Sequence, residues 1–141
     1  MQFIRALALT AFAVLATSTA DASDSRYFGP DPSAPGWARM KPEAWTPNTA
    51  VTAAELVAGM LAGAMETTDG RPDTKVHIWT TGGTFRAAAQ TTGLPDDAVR
   101  AQETVIAIAP ADSGWKVTEV WRRWICARGD NTRDWTDKPC P

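Results

Sequence analysis

Chemistry in a protein chain begins with nucleophiles, bases, paired acids and metal ligands, and this 141-residue sequence is sparing with all of them. It has one histidine, His77. A catalytic nucleophile needs a base beside it, and Ser23, Ser25, Ser33 and Ser113 sit in no nucleophile-elbow pattern. One His and two cysteines are too few for a structural zinc site. Asp130, Asn131, Asp134 and Asp137 offer oxygen ligands, but without the spacing, glycine and closing glutamate of an EF-hand loop. Gly82-Gly83-Thr84 lacks the lysine and wider glycine pattern of a phosphate loop, so the sequence implies no cofactor.

Two features remain. Glu103 and Glu119 fall on two segments expected to pair as strands, where facing carboxylates would raise one another's pKa. Paired carboxylates are the equipment of glycoside hydrolysis, which makes a hydrolase of cell-envelope material acting through Glu103 and Glu119 the alternative function. The plainer role for each is an ion pair with a nearby arginine. The second feature is Trp121-Arg122-Arg123-Trp124. On a strand, Trp121 and Arg123 face one way and Arg122 and Trp124 the other. Each face then carries an aromatic ring and a guanidinium suited to cation–π stacking. Together with Trp79 on a neighbouring segment, these residues form a candidate surface for stacking on sugar rings or gripping a carboxylate. The competing role is structural, a core Trp on each side with Arg covering it, and the usual burial of Trp favours it.

Elements that could position these groups are legible in the spacing. Thr52-Ala-Ala-Glu55 has the form of a capping box. Leu56, Met60, Leu61, Ala64 and Met65 follow at helical spacing, and Gly59 and Gly63 share a side that close packing against a sheet would explain. Lys75 to Thr81 alternates as a strand, with Val76 and Ile78 on one face and His77 and Trp79 on the other. Gly82-Gly83 breaks it, and Thr84 to Gln90 suits a short helix. Val99 to Ala109 and Trp115 to Ala127 make a long hairpin across a five-residue loop, with a bulge near Glu119. The expected fold is therefore α+β: a small curved antiparallel sheet with a packed N-terminal helix, a long C-terminal β-hairpin and a disulfide-tied tail.

The N-terminus gives the compartment. Arg5 precedes an apolar run from Ala6 to Ala16, too short to span a bilayer. Ala20-Asp21-Ala22 fits signal peptidase, so residues 1–22 read as a cleaved signal peptide. A Pro- and Trp-rich extended arm follows over 23–50, pinned by Trp37 and Trp45, and residues 51–141 form one α+β domain. The net charge of −2 argues against nucleic acid as a partner. Nothing after the signal implies stable membrane insertion. Cys126 and Cys140, in an oxidising compartment, read as a disulfide that closes a loop of about fifteen residues and contributes roughly 3 kcal/mol.

The last third carries Leu94-Pro-Asp-Asp-Ala-Val99, Gly114-Trp115, Trp124-Ile-Cys126-Ala-Arg-Gly129 and Trp135-Thr-Asp-Lys-Pro-Cys140. Over residues 94–141 it resembles uncharacterised bacterial exported proteins with a C-terminal hairpin and a Cys…Arg-Gly…Trp…Cys tail. The resemblance implies the hairpin and the disulfide and brings no activity with it. The expected protein is a periplasmic or secreted, non-enzymatic binding or accessory module with a Trp/Arg-rich sheet. Its partner would be a small molecule, a glycan or an envelope protein.

Overall fold

The long hairpin predicted near the C-terminus forms the centre of the molecule. In the computed structural model, which describes residues 31–45, 47–65 and 72–141, the strands are β1 (Ala38–Met40), β2 (Thr49–Ala50), β3 (Asp73–Thr81), β4 (Thr84–Thr92), β5 (Val99–Ala111) and β6 (Gly114–Cys126). Among the described residues the one α-helix, α1, spans Ala53–Met65. The proposed signal peptide and the start of the arm lie outside the described residues.

All strands are antiparallel in the order β1-β6-β5-β4-β3, and β2 shares the outer edge of β6 with β1. Three short pieces thus cover that edge. Thr49–Ala50 pairs with Trp115 and Lys116, Ala38–Met40 pairs with Val120 to Arg122, and Thr136 bridges to Trp124. The segment read as an extended arm contributes two of the three.

The α+β expectation is corrected: the chain is a predominantly antiparallel β-sheet with one short helix. The error lies in residues 84–90. Thr84-Phe-Arg-Ala-Ala-Ala-Gln is built from residues with good helix propensity, yet all of it is strand β4. Gly82 and Gly83, at φ of 55° and 79°, supply the two left-handed positions of a tight hairpin turn. They therefore reverse the chain and pair β4 with β3 along its whole length. Pairing with β5 on the other side completes the override of local preference. The β5–β6 connection is likewise two residues rather than five, because Ala111 pairs with Gly114.

Register assigns the two faces. On the helix side, rows across β4, β5 and β6 run Phe85–Ile108–Val117, Ala87–Ile106–Val120, Ala89–Thr104–Arg122 and Thr91–Gln102–Trp124. A bulge at Thr118, next to Glu119, lets Val117 and Val120 share this face although they are three apart. The capping box forms in both directions: Glu55 N donates to Thr52 Oγ1 at 3.3 Å and Thr52 N to Glu55 Oε2 at 3.1 Å. So begun, α1 lays Leu56, Val57 and Met60 on Ala87, Ile106, Ile108, Val117 and Val120. Fully burying each of those large aliphatic side chains stabilises by about 1.5–3 kcal/mol. The glycines of α1 do not lie close on the sheet as expected. A Cβ on Gly59 would come 2.8 Å from Pro47 Cδ, and one on Gly63 would meet nothing within 4 Å. Val76 and Ile78, the apolar side of β3, are 42 % and 48 % exposed.

The tail is tied as expected. Cys126 and Cys140 form a disulfide with Cα atoms 5.4 Å apart. Arg128 adds a hydrogen bond from Nε to the Pro141 carbonyl and an ion pair to Asp97. Among the described residues no helix is long and apolar enough to cross a membrane.

Candidate binding cleft

The opposite face of the sheet holds most of the charged side chains and, with them, Trp37, Trp79, Trp121 and Trp135. Trp79, Trp121 and Arg123 lie here, with Val105, Ala88 and Ala107 between strands. Arg123 is 7 % exposed. Its guanidinium lies 4.4 Å from the Trp37 ring centroid and 4.6 Å from that of Trp135. Two indoles thus hold it, one from the arm and one from the tail. Across the ladder stands Glu103, fully buried, whose Oε2 accepts from Arg123 Nε at 2.8 Å and meets Nη2 at 2.6 Å. Glu103 Oε1 is buried without a hydrogen bond. Burial pushes the Glu103 carboxyl above its ordinary value of 4.5, while Arg123 and then Gln90 pull it back. The charges here are matched and enclosed by packing.

Glu119 is on this face too, opposite Ala107, and is paired to Arg39 at 2.6 Å. Glu103 and Ala107 are four positions apart on β5, about 13 Å at the usual rise per residue. The two carboxylates therefore do not face each other, and their backbone separation exceeds the roughly 5–9.5 Å between glycosidase carboxyls. Each has an arginine instead. A cleft of about 290 Å³ opens beside Glu119, walled by Trp37 and Trp121. Its guanidiniums are also engaged, Arg39 with Glu119 and Arg86 with Asp31 at 3.6 Å.

Arg122, one residue earlier, has a different environment. It points to the helix side with Trp124. Its Nε donates to Thr104 Oγ1 at 3.2 Å, and its guanidinium lies 6.0 Å from the Trp45 ring centroid. Among the described residues it has no carboxylate partner and no further hydrogen bond. Burial alone pushes its pKa down. It lines a cleft of about 170 Å³ where α1 stops covering the sheet. Polar groups converge there from Thr91, Gln102 and Thr104, with Met60 and Ala89 as the apolar base. Trp45 forms a wall, and its Nε1 is buried without a hydrogen-bond partner. On the helix side, Gly59 and Gly63 keep the cleft open.

The five candidate residues are therefore split by the sheet. Trp79, Trp121 and Arg123 are packed on one face, while Arg122 and Trp124 are on the other, and of the five only Arg122 lines this cleft. Thr91, Gln102 and Thr104 escaped notice in the sequence, and Trp45 was read only as an anchor of the arm. A signal was present: β5 runs Gln102, Thr104, Ile106, Ile108 on one face, so polarity switches where the core should continue. Compared with known proteins, the chain matches no family, no curated protein and no solved structure. Fold and cleft define it by architecture: a disulfide-tied antiparallel sheet with one helix and a half-covered face.

Proposed function

We propose that this protein is an exported, non-enzymatic binding module whose ligand site is the cleft between α1 and the sheet. The observation that carries the proposal is Arg122, a partly buried guanidinium held by one hydroxyl and, among the described residues, faced by no carboxylate. A buried charge is costly unless it is paired. A cleft with an apolar base and a few convergent polar groups is the common form of a small-molecule site. The Cys126–Cys140 bond supports a periplasmic or extracellular setting, where disulfides persist. The resemblance of residues 94–141 to exported proteins goes with it. A hydrolase acting through Glu103 and Glu119 draws no support from carboxylates that are separated and already paired.

Amide and indole chemical shifts test the site. With a library of small amphipathic molecules, ligands should perturb the Trp45 indole and the backbone of Thr104 and Arg122. Gly63→Leu, which fills the open space beside the helix, should abolish those shifts while leaving the circular dichroism unchanged. Perturbation confined to Trp37 and Trp121 would move the site to the other face, and no perturbation by any member would overturn it.

A further inference from the structure

A site that tolerates an unpaired guanidinium also constrains its ligand. Resting on the cleft as the binding site, we infer that its ligand is a small monocarboxylate with a short apolar tail. Four observations converge. Among the described residues lining the cleft, Arg122 is the one that carries charge, so it can neutralise a single negative charge. A phosphate dianion would leave a second charge without a partner in a partly buried site. The Arg122 Nε is fixed by Thr104 Oγ1, which holds the planar guanidinium in one orientation. Its terminal amino groups are left for a carboxylate, which suits the fork geometry of arginine. Trp45, whose ring centroid lies 6.0 Å from the Arg122 guanidinium, walls the same site and shields such a pair from water.

The rest of the ligand follows from volume and lining. The cleft measures about 170 Å³, close to the roughly 150 Å³ that accommodates benzene in an engineered cavity. The tail is therefore a short alkyl chain or a single ring. Met60 of α1 and Ala89 of β4 contact it, and Gly59 and Gly63 leave room along the helix. A sugar would present more hydroxyls than Thr91, Gln102 and Thr104 can satisfy.

Calorimetric titration of the mature protein with hexanoate and benzoate, beside hexanamide and benzamide, provides the test. The acids should bind about ten- to a hundred-fold more tightly than the amides, the difference expected of a hydrogen bond to a charged group. Arg122→Gln should erase that preference, weakening the acids far more than the amides. Equal affinity for acids and amides, with Trp45 still perturbed, would overturn the carboxylate assignment and leave the cleft as the binding site. No binding of any of the four, together with no shift at Trp45 across the wider library, would overturn both. Preference for an alkyl phosphate over the matching carboxylate would also overturn the assignment.

Discussion

Arg122 and Arg123 are neighbours in sequence on one strand, and the sheet gives them opposite surroundings. Arg123 has a buried glutamate opposite and an indole on each side. Arg122 has a threonine hydroxyl, a distant indole and an open cleft. The chemistry of the side chain is the same, so the difference comes from what the rest of the chain delivers to each face. The arm and the tail bring Trp37 and Trp135 to one face, while α1 ends its cover short of Arg122 on the other. A buried charge surrounded by partners made for it is part of the structure. One without them is available to a ligand.

Substituting each arginine by methionine should separate the two most sharply. Arg123→Met leaves Glu103 buried and unpaired, and should cost about 3–5 kcal/mol in urea unfolding. Adding Glu103→Leu to Arg123→Met should restore much of the loss, since apolar replacement of a whole buried pair is often neutral. Acidity gives an independent check. The folded-state pKa of Glu103 is raised, so the folded protein holds this proton more tightly than the unfolded chain. Its contribution is complete below the ordinary value of 4.5 and is lost as pH rises from there through the raised value. Glu103→Gln should flatten that part of the stability–pH curve.

Reduction of the disulfide, or Cys140→Ser, should cost about 3 kcal/mol and reach the same face by another route. It frees the tail that seats Trp135 over Arg123. Limited proteolysis after residue 128, with a change in Trp emission and little change in far-ultraviolet circular dichroism, is the expected result.

On the helix face the effects should be smaller. Gly63→Ala should raise stability by up to about 1 kcal/mol, read as a shift in thermal midpoint, because its Cβ enters open space. Gly59→Ala should fail to do so, because its Cβ meets Pro47. Arg122→Met should change stability least, by less than about 1 kcal/mol in either direction, since it has no carboxylate partner among the described residues. A loss as large as that of Arg123→Met would erase the contrast between the two arginines.

Much of this arrangement was legible in the residues. Thr52 and Glu55 announced the start of α1, the slip between Val117 and Val120 announced the bulge, and Cys126 and Cys140 announced the tied tail. The alternation of Trp121 to Trp124 correctly divided the candidate residues between two faces. Strand β4 was illegible because three consecutive alanines have no strand signature of their own. They are strand because a Gly-Gly turn reverses the chain and β5 receives it. The cleft was illegible for a related reason. Its polar residues come from β4, β5 and β6, and only the register of three strands shows that Thr91, Gln102, Thr104 and Arg122 are neighbours.

The patched edge of β6 also sets an order of events. Arg39 finds Glu119 across 80 positions of sequence, and β2 is almost as far from its own partner. Strands β1 and β2 have no edge to join until β6, the last strand, has been made. Contacts this distant are slow to form, so β3 to β6 can assemble as successive hairpins while the preceding segment waits. Trp37 reaches Arg123 only at the end of that wait. Packing of the two indoles on Arg123 is then a late event in folding, and it reports that the arm and the tail have both arrived.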